Sequence, residues 1–320
     1  MALDGTQLSV RTVESGPLPH PIPSECEVIG DAVGTHVAWP QHLIVKHEEK
    51  PRRKMIEQPK KKLTLSASVP RSLRMLYCYS MRALQEGKYI SMVLEHDVFG
   101  DDYELILHLE DIVPLYQLEA ISGNCIIAYI WHLYKNMMTD IMKEKFRFMN
   151  PHSIPYIATT TRDNKGKLER LNQRASLLAD RLSCASVDQL VLVPCNVGFH
   201  WILTVIEPYK EVVYLLDSLS HRMCYDDWKY IVEMALRLFN SNKGRKGRKK
   251  SVWELVQAPR QPDDKQCGYY VMRFMRQIIE AETIERDGLR SIFLAVEYSR
   301  EQIDEVRSEL AETIQDHIYE

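Results

Sequence analysis

The chain has 320 residues, 45% of them hydrophobic and 27% charged, with a formal net charge of -3. That length allows one large domain, or one domain with a flanking module, and the composition is that of an ordinary globular protein. The small net charge excludes a global basic field for nucleic acid, and no apolar run reaches the roughly 18–20 residues of a membrane span. The opening MALDGTQLSV lacks a basic stretch followed by an apolar one, so no secretory signal is read there. Seven cysteines (Cys26, Cys78, Cys125, Cys184, Cys195, Cys224 and Cys267) include no C-x-x-C pair. That argues against a zinc ribbon or a thioredoxin-like motif and for a reducing compartment, cytosol or nucleus.

In chain order, residues 1–24 are rich in Pro and Gly and are expected to lack regular structure. Residues 26–45 are apolar enough to fold locally, and Lys46–Lys62 reads as a charged linker with basic clusters. From there one α+β domain is expected over 71–320. "ISGNCIIAYIWHLYKNMMTDIM" places Ile127, Ile130, Trp131, Tyr134, Met138 and Ile141 on one helical stripe. "LERLNQRASLLADRL" predicts a second helix, and "QLVLVP", "WILTVI" and "VVYLL" predict strands. Next come a helix in "YDDWKYIVEMALRLFN", a basic loop over Asn242–Lys250 and a strand in "SVWELVQAP". In the tail, Ser299 and Gln302 have capping-box spacing, with Ile303, Val306, Leu310 and Ile314 as the buried stripe.

The chemistry gathers around "RQPDDKQCGYYVMRFMRQ". From Gly268 the spacing of Val271, Phe274, Met275, Ile278 and Ile279 is helical, so Cys267 falls in or beside the first turn. Free backbone N–H groups and the positive end of the helix dipole favour a thiolate there. A nucleophilic thiol needs a base and a group to orient that base. If the strands flanking "EPYK" turn about Pro208–Tyr209, cross-strand partners have numbers summing to 417, and His200 faces Asp217. Gln261, six residues before the cysteine, can donate to the oxyanion of a tetrahedral intermediate, beside the Cys267 N–H.

The order His, Asp, Gln, Cys in "FHWILTVI", "VVYLLDSL" and "QPDDKQCGYYVMRFM" resembles the Ulp-type cysteine proteases, whose fold the adenovirus protease shares. The resemblance spans about residues 100–282. It implies a papain-like fold with a central mixed sheet flanked by helices. It implies Cys267 as nucleophile, His200 as base then acid, Asp217 as its orienter and Gln261 in the oxyanion hole. Trp201 and Gly268 would contact substrate, Trp201 as one wall of a channel narrow enough for a C-terminal Gly-Gly. The reaction would be hydrolysis after the glycines of a SUMO-like modifier, the modifier or its conjugates being the partner. No cofactor or metal is called for, and nucleic acid is not expected as a direct substrate. The family often carries W-L-N-D where this chain reads Ile121-Ser122-Gly123-Asn124, and many members have Asp where Gln266 stands. The first 45 residues and the tail from Tyr298 are similar to parts of plant transposon-encoded proteins with an Ulp-like protease. The missing tryptophan and the basic segments favour an alternative: an idle, transposon-derived protein that binds a ubiquitin-like partner or a nucleoprotein complex.

Overall fold

The computed structural model describes Gly5–Ser9, His36–Pro40 and residues 66–319, apart from position 86 and the segments 157–163, 220–224 and 282–287. The chain divides into two compact units, Met1–Thr64 and Leu65–Glu320. In the first, β1 (Gly5–Ser9) pairs antiparallel with β2 (His36–Pro40). Part of the stretch expected to lack regular structure is thus a strand. The linker Lys46–Lys62 lies outside the described residues.

In the second unit the elements run α1 (Arg71–Ala83), β3 (Ile90–Leu94), α2 (His96–Phe99), β4 (Tyr103–Leu107), α3 (Leu109–Gln117), α4 (Gly123–His132) and α5 (Asp140–Lys145). They continue with β5 (Phe146–Phe148), α6 (Asn164–Ser183), β6 (Leu190–Asn196), β7 (Trp201–Glu207), β8 (Val212–Leu216), α7 (Asp226–Asn242) and β9 (Val252–Val256). The last are α8 (Cys267–Glu280), α9 (Gly288–Ile292) and α10 (Arg300–Tyr319). β3 and β4 form a separate antiparallel pair. The other five strands make one mixed sheet in the order β5-β6-β7-β8-β9, with β5 and β9 parallel to their neighbours and the inner pairs antiparallel.

Both faces of this sheet are covered, so its inner strands are apolar on both sides. In β7, Trp201, Leu203 and Val205 join the core containing α4 and α8, while Ile202 and Ile206 join the core containing α6 and α7. The first of these cores also takes in Leu73 and Leu76 of α1 and Leu310 and Ile314 of α10. The α10 capping box closes as its spacing implies: the Gln302 N–H reaches Ser299 Oγ at 3.3 Å, and the Ser299 N–H reaches Gln302 Oε1 at 2.9 Å.

The expected single stripe from Ile127 to Ile141 is broken. α4 is buried on every side from Cys125 to His132 and runs into a π-helical turn, Leu133–Met137. Thr139 then caps a new helix, α5, in which Ile141 is exposed. A helix enclosed on all sides has no single stripe to read, and a π-turn shifts the helical phase of the residues beyond it.

The hairpin register also differs. Leu203 pairs with Leu216 and Glu207 with Val212, so partners sum to 419 and the loop holds four residues, Pro208 to Glu211. The slip is two residues. Because side chains alternate with period two, it leaves His200 and Asp217 on one face as diagonal neighbours just beyond the paired ends.

Topology fixes where the site forms. β7 begins, β8 ends and β9 ends at the same rim of the sheet, and the chain leaving β9 there runs straight to the start of α8. The opposite rim carries the Pro208–Glu211 turn and the basic loop. That loop is held in place: Arg245 stacks 4.7 Å from the Tyr209 ring centre, and the Arg248 N–H donates to the Glu211 carboxylate at 2.9 Å.

Candidate active site

Cys267 is the first residue of α8, buried, with Gln266 at the cap position. As a first-turn residue, it has no acceptor for its N–H within the helix. Asp263 builds the turn before it. Its carboxylate takes the Lys265 N–H at 2.9 Å, the Gln266 N–H at 3.1 Å and the Gln266 Nε2 at 2.7 Å. The residue standing where many relatives have Asp is therefore tied back into the loop.

His200 closes the hairpin loop before β7, and its Nε2 lies 2.6 Å from Asp217 Oδ1. Oδ1 also accepts the Leu219 N–H at 2.9 Å, and Oδ2 accepts the Tyr225 hydroxyl. Both side chains of the pair are nearly inaccessible, at 5% and 6% exposure. Burial alone would lower the imidazole pKa. The hydrogen bond to Asp217, and after it the Cys267 thiol, outweigh burial and raise the pKa to about 9. The other ring nitrogen, Nδ1, is buried without a partner at hydrogen-bonding geometry. Cys267 thus acts on the ring as a polar neighbour, yet its sulfur does not complete the bond.

Gln261 hangs on the residue after Asp217. Its N–H donates to the Ser218 carbonyl at 3.0 Å, and the Ser218 hydroxyl donates to Gln261 Oε1 at 2.5 Å. With the amide oxygen held, Nε2 donates one hydrogen to the Asp263 carbonyl at 2.5 Å, which leaves its second hydrogen outside that bond. Ser218, Tyr225 and Asp263 were not singled out in the sequence. No periodicity marks them, and each acts through one polar atom on a loop.

The remaining expected residues sit at the start of α4. Trp201 Nε1 donates to the Ile121 carbonyl at 3.3 Å. Ser122 caps α4 and donates to Asp111, and Asn124 donates to the same carboxylate, so this corner is fixed. The Ile121 side chain covers Gly268: a Cβ on that glycine would lie 2.4 Å from Ile121 Cγ1. Gly268 is fully buried in helix packing and lets α8 approach this closely. Gly268→Ala is expected to cost about 1–3 kcal/mol of stability by overpacking. It would also push Cys267 out of register. Thermal melting and the rate of thiol alkylation check both effects.

Other cysteines show what a structural thiol looks like here. Burial pushes the Cys125 and Cys195 thiols up to about 12. A groove of about 840 Å³ runs along β9 and reaches Asp217 and Tyr225, but neither Cys267 nor His200 lines it, so it lies behind the acid arm. Among the described residues, no cluster of His, Cys, Asp or Glu has the makings of a metal site, and no helix is long and apolar enough to cross a membrane.

A helix-start thiol, a strand-start imidazole and a strand-end carboxylate thus lie at one rim of the mixed sheet in an α+β fold. Residues 124–320 match the Ulp1 protease family, C-terminal catalytic domain. The chain belongs to that family. It is similar to the C-terminal Ulp1 protease domain solved with Smt3, the yeast ortholog of SUMO (15% identity, 80% of this chain and 100% of that one, TM-score 0.45). It is also similar to the Xanthomonas campestris effector XopD bound to ubiquitin (19%, 61% and 91%, TM-score 0.42) and to the Chaetomium thermophilum Ulp1-like SUMO protease catalytic domain (18%, 76% and 88%, TM-score 0.45). No curated protein matches the chain. The likeness of its ends to transposon-encoded proteins therefore rests on the sequence alone.

Proposed function

We propose that this chain is a thiol peptidase that hydrolyses the bond after the C-terminal glycines of a SUMO-like modifier, in a precursor or an isopeptide conjugate. One observation carries the proposal: His200 commits Nε2 to a buried carboxylate and leaves Nδ1 open on the side of Cys267. In this reading the proton shared between the thiol and Nδ1 rests on Nδ1 as Sγ bonds to the glycine carbonyl carbon. The tetrahedral oxyanion is met by the Cys267 N–H and the spare hydrogen of Gln261 Nε2. The C–N bond then breaks, Nδ1 delivers the proton to the departing amine, and a thioester remains. Water, activated by the same nitrogen, adds to the thioester and regenerates the thiol. In this reading Trp201 walls the way in, and glycines, without side chains, pass it. Membership of the Ulp1 protease family supports a ubiquitin-like partner. A thiol nucleophile suits the reducing cytosol or nucleus.

The test is a panel of ubiquitin-like modifiers, SUMO first, each carrying a C-terminal electrophile. A covalent adduct that disappears in Cys267→Ser is expected. A folded protein that forms no adduct with any of them overturns the peptidase reading. If it nonetheless binds a modifier, the idle-binder alternative takes its place.

A further inference from the structure

The loop that presents His200 contains a residue the proposed chemistry leaves unused. β6 and β7 pair as far as Asn196 and Trp201, and the Val197 N–H donates to the His200 carbonyl at 2.9 Å. The two residues between, Gly198 and Phe199, have φ of 106° and 60°. Two central residues at positive φ define the type I′ turn, which favours Asn-Gly or Gly-Gly. Gly198 suits its place: the Asn196 side chain accepts its N–H at 2.9 Å, and a Cβ there would meet the Tyr156 ring at 3.1 Å. Phe199 does not. A bulky side chain in the left-handed region is strained, and strain of this kind gathers where a ligand or reaction makes use of it. Packing gives no compensation, because Phe199 is 99% exposed while Trp201, two residues on, is 8% exposed. The folded chain gains nothing visible from an aromatic ring at this position.

We propose that Phe199 is a specificity-determining residue that grips an apolar side chain on the leaving side of the scissile bond, in the protein or peptide released with the amine. The inference rests on the function proposed above, in which His200 delivers a proton to that amine. Whatever adjoins His200 on its outer side adjoins the departing chain. The acyl tail takes the inner side, where Trp201 is tied to the Ile121 carbonyl. The body of the modifier stands further off, separated from the carbonyl by its extended tail.

The experiment compares three SUMO probes on the full chain. One is SUMO joined by an isopeptide bond to a lysine peptide with leucine on both sides of the lysine. The second has glycine in place of the leucines. The third carries a C-terminal propargylamide and has no acceptor. Phe199→Asn is expected to lower kcat/KM about ten-fold on the leucine conjugate, the scale of a lost apolar contact, and to leave the other two probes within about two-fold. Its melting temperature should rise by roughly 2–4 °C as the turn relaxes, so poor folding does not explain the loss. Phe199→Tyr, with the ring kept, should retain the rate. An equal loss on all three probes would place the ring against the modifier and overturn the proposal, as would an undiminished rate on the leucine conjugate. A wild-type chain inert to every probe sinks the proposed peptidase function instead, and this inference falls with it.

Discussion

His200→Ala is expected to slow modifier cleavage by about a million-fold, the scale seen when the nucleophile or base of a hydrolase triad is removed. In the proposed mechanism one ring nitrogen both holds the thiol proton and returns it to the leaving amine, so the substitution removes base and acid together. It also strands Asp217. That carboxylate is almost inaccessible, but it keeps the Leu219 N–H and the Tyr225 hydroxyl as donors. The stability cost is therefore expected to stay below the roughly 3–5 kcal/mol of a fully orphaned buried charge. Single-turnover kinetics beside a thermal melt separates the two effects. A folded His200→Ala protein that still cleaves at more than a thousandth of the wild-type rate would remove His200 from the reaction.

Asp217→Asn is expected to cost less, and for a reason specific to this site. In a triad the change usually fails because the amide presents its N–H₂ to the imidazole and forces the wrong tautomer, at about 10⁴-fold. Here the Leu219 N–H also donates to Oδ1 and requires an acceptor there. An asparagine should keep its oxygen toward His200 and turn its nitrogen to the Tyr225 oxygen. The tautomer survives and the charge is lost, so a fall of about 10²–10³ is expected, in line with removing one electrostatic stabiliser. The pH profile gives a second reading. With the His200 pKa near 9, kcat/KM should decline on an alkaline limb centred there, as the imidazolium is lost. Asp217 is the largest of the raising influences, so Asp217→Asn moves that limb to lower pH. Because the folded pKa lies above the unfolded value of about 6.5, the stabilisation from His200 is complete below about pH 6.5 and is lost as pH rises through about 9. A limb that stays near pH 9 in the variant would show that Asp217 does not set the charge of His200.

Much of this site was legible before the fold was known, and the reasons are local. Cys267 falls at a helix start because the apolar spacing of α8 begins there. His200 and Asp217 meet because each lies just past the end of a strand, and a hairpin brings those ends together. A tight turn at Pro208–Tyr209 implies one register, whereas the loop takes four residues with Glu211 at positive φ. An error of two spared the pairing, whereas an error of one would have put the imidazole and the carboxylate on opposite faces. What stayed hidden depends on single polar atoms far apart in sequence. Tyr225 reaches Asp217 from eight residues on, and Ser218 holds the Gln261 oxygen across a gap of 43. The phase shift after Leu133 was equally invisible, because a π-turn leaves composition and apolar spacing looking like one helix.

Every group of the proposed site hangs from one rim of the five-stranded sheet. The other rim carries chain reversals, among them the basic loop anchored by Arg245 and Glu211. Extra chain there costs little, since loop-closure entropy grows slowly with length, and exposed loop tips are where added sequence is best tolerated. The stretch from Lys249 to Lys250 is therefore a natural splice point for a fluorescent reporter or a second binding domain. A strand's length of sheet would separate such a graft from the thiol.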